Sequence, residues 1–493
     1  MRYRVLALLP LWFWALAVSA EERVFRDAQA IRDGGLYGQV VHADFADEAR
    51  PYNVLDMLRL MPRLKTLVIG GPRFDGNCLA RLAKLKTLRV LVLDSVDLSD
   101  ETLSEFQKSF PDLVVIRSQR LAIASIARLG REMTIVTRLS EQHSDVRELL
   151  GERYFREATD VDFSKLPNDE SGPERILNEE LAPLRMLPTL VRLDLTWTRI
   201  HDGGMYYLKP LTNLELLRIP LNDVTADGLV HLRGMQKLKF FGTPSHSSRI
   251  DDAGARHLAS LQALETVWLD DTSTITDAGL EALGQLRHLR VLHLRSPQVH
   301  GSNLGQIAKL PELRELILGR AVRDVSALSK CPSLHTLSLT GAGINDEALS
   351  VLSRCKSLES LTLDKTAVTD KGVAQLSDLT RLNMVFLNDT QVGDAGVAAL
   401  QKLAQLRELS LDRSKVSNAG LAEFRRFPLL ESLSIHEMRL NKEGIQNLTQ
   451  LKHLKSLAVS YARESFPDTT QHIAAHRALV DRLREALPGC EID

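Results

Sequence analysis

The 493-residue sequence lacks an excess of charge of either sign. It contains 62 Lys and Arg residues against 63 Asp and Glu residues, which gives a formal net charge of −1 at pH 7. No basic run stands out, so nucleic acid is not expected as a partner. Aromatic residues are also scarce, at 5% of a chain that is 44% hydrophobic. We therefore expect a core built from leucine and other aliphatic side chains.

Sequence motifs of the common catalytic and nucleotide-binding sites are missing as well. The chain contains no GxSxG, HExxH, GxxxxGK[ST], GxGxxG or CxxC motif, the patterns that would indicate an esterase nucleophile, a metalloprotease, a phosphate loop, a dinucleotide site or a redox pair. We accordingly predict a protein that is not an enzyme, with no catalytic residues, no metal site and no cofactor.

Long hydrophobic runs are confined to the start of the chain. Residues 1–20 contain two arginines, an apolar run from Val5 to Val18 and small residues before Glu21, as a secretory signal peptide does. The run is shorter than the roughly 20 residues that span a bilayer, which disfavours an uncleaved anchor. We predict export to the periplasm, the cell envelope or the medium, with no membrane span after signal removal.

The feature that is abundant is a repeat of about 24 residues. The unit 358–381 reads LESLTLDKTAVTDKGVAQLSDLTR, and its pattern returns along most of the second half of the chain. The first leucines of successive units are Leu190, Leu214, Leu238, Leu264, Leu289, Leu313, Leu334, Leu358, Leu382, Leu406, Leu430 and Leu454. A fixed period of this length is typical of a solenoid.

Within one unit the hydrophobic period changes from two to that of a helix. The leucines at 358, 361 and 363 alternate with polar residues and predict a short strand. Thr369 and Asp370 follow as a predicted helix cap, and Gly372 occupies a slot that holds glycine in most units. Because glycine is unfavourable inside a helix, we predict a close approach to neighbouring backbone there. Each unit is predicted to be a strand, a turn and a short helix.

The segments LTLDKTAVTDKGV and VWLDDTSTITDAGL resemble the leucine-rich repeats of secreted bacterial proteins, with the consensus LxxLxLxxTxITDxGLxxLxxL. Those repeats are similar to the cysteine-containing and ribonuclease-inhibitor-like types. The resemblance implies an α/β fold, a curved leucine-rich repeat solenoid with a parallel β-sheet on its concave side and helices on its convex side. It also implies a scaffold that binds a protein or peptide.

The repeat register divides the chain into predicted regions. We predict a signal peptide at 1–20, a short first repeat array at 21–118, an irregular entry segment with an exposed loop at 119–189 and a main array at 190–460. A C-terminal capping helix and half-repeat are predicted at 461–493. The polar, aperiodic stretch 140–188 fits either an irregular entry coil or a hinge between two rigid arrays, and the sequence does not separate these alternatives.

Residues between the strand leucines are predicted to face the concave side. Most of these positions hold Ser or Thr, as on a solvated sheet, but two groups hold the residue types that interface centres favour. We predict partner binding at Arg218, Phe240, Trp268, His293 and Arg295, and at a second patch of Met384 and Phe386.

The predicted function is that of an exported, non-catalytic protein-binding scaffold that uses this face. A structural or self-associating component of the cell envelope is the main alternative, since the repeats could act as a spacer. An enzyme with its site in residues 140–188, where His143 and Asp145 lie, is disfavoured because no partner spacing is recognisable there. The oligomeric state and the identity of the partner are not predicted.

Cys331 and Cys355 are 24 residues apart and so occupy the same slot in adjacent coils. Strands in a sheet are about 5 Å apart, which allows a disulfide. Two packed thiols are the favoured alternative, because this slot is usually buried in similar repeats.

Overall fold

The computed structural model describes residues 24–25, 31, 37–46, 51–71, 73–128, 134–139, 147, 152–164, 176–219, 224–243, 249–269, 274–438, 440–459, 478 and 480–492. The predicted signal peptide, His143 and Asp145 lie outside the described residues. The chain forms two compact units, residues 1–197 with 207–214 and residues 198–206 with 215–493. The domain boundaries given above remain a prediction.

The first unit begins with a parallel sheet whose strands pair in sequence order. Each strand alternates aliphatic residues and is followed by a helix, as in the predicted unit. The strands are β1 (Val24–Phe25), β2 (His42–Phe45), β3 (Thr66–Gly70), β4 (Val90–Asp94) and β5 (Val114–Ser118). The helices are Tyr37–Gln39 (3-10), Pro51–Leu58, Gly76–Leu82, Asp100–Lys108 and Arg120–Ala127.

Both faces of this first sheet are buried. One face packs on the helices through an aliphatic core that includes Leu67 and Leu91. The other face presents Val68, Val92 and Ile116, and these pack against Tyr154 and Phe155 from the segment that follows the array. Tyr154 and Phe155 are 1% and 3% exposed. The chain itself thus occupies a sheet face that would otherwise be open to a partner.

The rest of the first unit contains the segment that the repeat period did not describe. Strand β6 (Thr134–Leu139) pairs antiparallel with β7 (Arg156–Asp162), and β7 pairs parallel with β8 (Arg192–Asp194). The 3-10 helices Glu152–Tyr154 and Asn178–Met186 lie in the same segment. Ala158, Val161 and Phe163 are buried, so this segment places apolar side chains in the core at the spacing of the first, fourth and sixth positions of LxxLxL.

The second unit contains parallel strands that pair in sequence order and alternate buried with partly exposed residues. They are β9 (Leu216–Arg218), β10 (Phe240–Thr243), β11 (Thr266–Leu269), β12 (Val291–Leu294), β13 (Glu315–Leu318), β14 (Thr336–Ser338), β15 (Ser360–Thr362), β16 (Met384–Phe386), β17 (Glu408–Ser410), β18 (Ser432–Ser434), β19 (Ser456–Ala458) and β20 (Glu491–Ile492).

Short helices follow these strands, which confirms the predicted α/β solenoid of strand, turn and helix. The α-helices are Asp202–Met205, Ala226–Leu229, Asp252–Ala259, Asp277–Leu283, Leu304–Ile307, Asp346–Leu352, Asp370–Ala374, Asp394–Leu400 and Lys442–Leu448. The 3-10 helices are Tyr206–Leu208, Val230–Leu232, Ser326–Lys330, Gln375–Asp378 and Gly420–Arg426. Within the described residues, no helix has both the length and the hydropathy needed to cross a membrane.

Neighbouring coils are linked through the Asp and Gly of the repeat motif. The carboxylate of Asp370 accepts hydrogen bonds from the backbone N–H groups of Gly393 and Gly396 in the next coil, at 2.6 and 2.9 Å. A Cβ added to Gly396 would lie 2.6 Å from Asp370 Oδ1. The close approach predicted for the glycine slot is therefore correct, but the neighbour at this position is a side chain of the preceding coil.

Candidate functional site

The sheet of the second unit has one face on the helices and one open face. Leu217, Phe241, Val267 and Leu292 point into the core and are fully buried. Because side chains alternate along a strand, the residues between them lie on the open face. Four of the predicted site residues are there, in neighbouring strands and partly exposed: Arg218, Phe240, Trp268 and His293.

These four side chains contact one another, and we call them the aromatic cluster. The rings of Phe240 and Trp268 meet edge to face with centroids 4.9 Å apart. The rings of Trp268 and His293 stack at 5.2 Å, with 9° between their planes. The guanidinium carbon of Arg218 lies 5.3 Å from the Phe240 centroid and 5.9 Å from that of Trp268. Both distances allow a cation–π attraction.

Gly242 provides the space for this arrangement. In the strand register it lies beside Arg218 on one side and Trp268 on the other. A Cβ at this position would lie 2.9 Å from Cε1 of Phe240 and 3.5 Å from Cβ of Trp268. The sequence analysis did not select Gly242, although a glycine at an outward strand position beside aromatic residues is a usable signal for close packing.

Glu315 on β13 extends the aromatic cluster with a negative charge. His293 Nε2 donates a hydrogen bond to Glu315 Oε1 at 2.7 Å. This hydrogen bond lowers the pKa of Glu315 below its ordinary value, although partial burial opposes the shift. The sequence analysis did not select Glu315. Its place on the open face, two residues before Ile317 and beside the aromatic cluster, is recognisable only once the strand register is known.

Arg295 does not join the aromatic cluster, although it was predicted as part of the same patch. It lies one residue beyond the end of β12 and is exposed. There it lines a groove of about 580 Å³ together with Arg320 and Lys365. The structure therefore divides the predicted five-residue patch into a cluster of four and a separate basic groove.

Met384 and Phe386 lie on β16 and are partly exposed on the same open face. In the register they are flanked by Ser360 and Thr362 on β15, and by Glu408 and Ser410 on β17. β16 is four strand spacings from β12, or about 19 Å. This second patch is therefore a pair of apolar side chains among small polar residues.

Cys331 and Cys355 are free and buried, so the packed-thiol alternative describes them. The thiol of Cys355 donates to the backbone oxygen of Leu328 at 3.3 Å. Burial, with a smaller contribution from Cys331, raises the pKa of Cys355 to about 11. Burial also raises the pKa of Cys331. Neither group is poised to act as a thiolate near neutral pH.

Comparisons with known proteins match short parts of the chain to a family and most of it to solved structures. A family profile described as leucine rich repeat matches residues 187–209 and 330–353. None of the curated proteins compared with the chain matches it.

Two solved structures are similar over most of their length. An internalin from Listeria monocytogenes shows 18% identity over 76% of this chain and 94% of its own, with a TM-score of 0.48. A leucine-rich repeat protein from Leptospira interrogans shows 18% identity over 96% of this chain and 99% of its own, with a TM-score of 0.44. Two stretches of this chain thus match the leucine rich repeat family, and the coils described above have the strand, turn and helix of a leucine-rich repeat solenoid.

Proposed function

We propose that this protein is an exported, non-catalytic scaffold that binds a protein partner through the open face of its second unit. The aromatic cluster of Arg218, Phe240, Trp268 and His293 is the centre of the proposed contact. The observation that carries the proposal is this cluster, since it places the residue types that dominate binding energy side by side on a partly exposed sheet face.

The physical case rests on preorganisation. The Trp268 ring is held between its contacts with Phe240 and His293. The Arg218 guanidinium lies over the rings of Phe240 and Trp268. Ordering such side chains on binding costs about 0.5 to 1.5 kcal/mol each when they are free to move. A partner that covers the cluster avoids part of this cost and removes the exposed apolar area from water.

The sheet of the first unit is not part of the proposed surface. Its second face is covered by Tyr154 and Phe155. The binding role therefore belongs to the second unit, where the open face carries the predicted residues. A long partner that extends along the sheet would also contact the second patch, Met384 and Phe386.

The experiment that tests the proposal compares affinity capture by wild-type protein and by Trp268→Ala. The bait is the chain without residues 1–20, and the sample is a detergent extract and culture supernatant of the native organism. We expect at least one captured protein to be reduced about tenfold or more with the variant, since truncating a central tryptophan commonly costs 2 kcal/mol or more. Quantitative mass spectrometry measures the ratio.

Tyr206→Ala is the matched control. Tyr206 is 47% exposed, and the centroid of its ring lies 5.7 Å from that of His231. Capture that is equal for all three baits contradicts the proposed surface. Recovery of the bait protein alone, by all three baits, supports the alternative of a self-associating envelope component. Circular dichroism and thermal unfolding verify that both variants are folded.

A further inference from the structure

The basic groove beside the aromatic cluster is a feature that the proposed function does not use. It lies where strands β12 to β15 end and is lined by Arg295, Arg320 and Lys365. Its remaining lining residues are Ser296, Pro297, Leu318, Gly319, Thr340 and Gly341. Among the described residues, no Asp or Glu lines this space.

Two glycines create the groove. A Cβ on Gly319 would lie 2.7 Å from the backbone oxygen of Ser296, so a side chain does not fit there. Gly341 has a φ of +68°, a conformation that glycine adopts without strain. In the following coils the slot of Gly341 holds Lys365, Asp389, Arg413 and Glu437, also with positive φ. At Gly341 this row of turns lacks the side chain that Arg320 and Lys365 carry on either side, and the groove lies there.

Arg320 and Lys365 differ in their pairing from several other basic residues of the second unit. Arg290, Arg381, Arg407 and Arg413 each form an ion pair with a carboxylate of a nearby coil. Among the described residues, neither Arg320 nor Lys365 has a carboxylate oxygen within ion-pair distance. Arg320 and Lys365 are exposed. Lys365 also acts electrostatically on Asp389, but both oxygens of that carboxylate accept hydrogen bonds from Arg413. The charges of Arg320 and Lys365 are therefore available to an external anion.

The position of the groove relates it to the aromatic cluster. Arg295 is two residues from His293 along the same chain segment, a separation of about 7 Å in extended backbone. A single extended segment of a partner could therefore contact both features. The cluster offers apolar and π surface, and the groove offers positive charge with no Asp or Glu among its described lining residues.

We propose that this groove binds the carboxylates of an acidic segment in the protein partner, next to the part of the partner that covers the aromatic cluster. The inference rests on the proposed function and names the chemistry of the partner. Arg295, Arg320 and Lys365 would pair with Asp or Glu side chains, and the glycines leave room for the partner backbone.

The test uses the purified chain and a defined probe, so it does not depend on finding the partner. Fluorescence anisotropy of a labelled hexaglutamate peptide is measured at low ionic strength, where such pairs are weakly screened. We expect saturable binding that weakens as salt is added. The Arg320→Gln, Lys365→Gln double variant is expected to weaken binding about fivefold to tenfold, in line with two exposed ion pairs.

The matched control is Arg354→Gln, Lys356→Gln, which removes two exposed cations from the helical side of the same unit. Equal weakening by both variants, or no binding of hexaglutamate, overturns the inference. Tighter binding of an oligothymidylate of equal charge, or complete displacement of the peptide by millimolar phosphate but not by chloride of equal ionic strength, also overturns it. If hexaglutamate does not bind but the Trp268→Ala bait captures less of a partner than wild type, this inference is wrong and the proposed function still holds.

Discussion

At the residue scale, most glycines of the repeated slot lie against a polar side chain of the preceding coil. Asp202, Asp252, Asp346, Asp370 and Asp394 each lie against the glycine of the following coil, and Asn418 does the same for Gly444. The glycine slot was visible in the sequence as a repeated exception to helix propensity. Its contact was not, because the two residues are about 26 positions apart and only stacking brings them together.

Other coils depart from this pairing of an aspartate with the glycine of the next coil. Ala348 occupies the slot in the coil after the short repeat, where Ser326–Lys330 forms a 3-10 helix in place of an Asp-capped α-helix. Gly254 follows Ala226, and its nearest neighbours are Ile250 and Leu229 instead of a carboxylate. Asn303 occupies the slot after a coil that does have the aspartate, and there Asp277 accepts a hydrogen bond from the backbone N–H of Gly301 at 3.0 Å.

Replacing Asp370 by Ala is expected to destabilise the protein by about 1 to 3 kcal/mol, because two backbone N–H groups of the next coil lose their acceptor. Chemical denaturation followed by circular dichroism measures the change. Asp378→Ala is the control, since the Asp378 side chain is 78% exposed and makes one long ion pair, 3.7 Å from Lys356. A change below about 0.5 kcal/mol for both variants would show that the inter-coil bonds contribute little.

The cysteines are expected to titrate as four free thiols in denaturant. In native protein at pH 8, Cys490 should react first with Ellman's reagent because it is only partly buried. Cys355, with its pKa raised to about 11, should stay unreactive, since roughly one thiol in a thousand is ionised at that pH. Two reactive thiols in denaturant instead of four would indicate a disulfide between Cys331 and Cys355.

At the scale of elements, strands and helix caps could be predicted because each repeat carries the same local signals. The Thr369 hydroxyl accepts a hydrogen bond from the backbone N–H of Lys371, as predicted for the helix cap at Thr369 and Asp370. The antiparallel pairing of β6 with β7 could not be predicted, since residues 140–155 have no period to set its register. The aromatic cluster was predicted from residue type alone, whereas its separation from Arg295 depends on where β12 ends.

Charged residues also link successive turns. Arg413 donates to both carboxylate oxygens of Asp389, at 2.5 and 2.7 Å, and to Glu437 at 3.2 Å. The hydrogen bonds from Arg413 lower the pKa of Asp389. A carboxyl with a lower pKa in the folded state stabilises the fold above its unfolded pKa, and this stabilisation is lost as the pH falls through the folded pKa.

Arg413→Gln is therefore expected to reduce the free energy of unfolding at pH 6 by up to about 1 kcal/mol, the range of exposed pairs. The difference from wild type should shrink between pH 6 and about pH 2, as the pH falls through the folded-state pKa of Asp389, which lies below its ordinary value. Urea denaturation at the two pH values measures both quantities. Arg354→Gln provides the comparison, and a deficit for Arg413→Gln that is independent of pH would assign its effect to packing.

At the scale of the whole chain, the division into two arrays stays a prediction from the repeat register and the broken period between them. The covering of the first sheet by Tyr154 and Phe155 could not be predicted from the sequence. The Tyr154 hydroxyl donates to Asp44 Oδ2 at 2.6 Å, a contact between residues 110 positions apart. Arg120 lies over the Tyr154 ring at 5.3 Å and pairs with Asp94 at 2.9 Å. Nothing local in the sequence indicates this polar cluster.

Tyr154→Phe is expected to destabilise the first unit by about 1 to 3 kcal/mol, because the buried Asp44 carboxylate loses a hydrogen bond while the aromatic packing is kept. Hydrogen exchange of β2 to β5 should accelerate, and exchange of β9 to β19 should change little. Tyr206→Phe, which alters an exposed tyrosine, is the control. Uniform acceleration across both units would show that they unfold together.

The contact between aspartate and glycine also limits how the coils can be exchanged. A coil with glycine in the slot can follow a coil that carries the aspartate. The coil containing Ala348 would place a methyl group against that carboxylate. By this contact, the coil beginning at Leu334 is matched to a preceding coil without the aspartate, such as the short one before it. Duplication, deletion or transplantation of single coils would have to keep compatible residues at each contact between neighbouring coils. The coils are therefore not interchangeable modules.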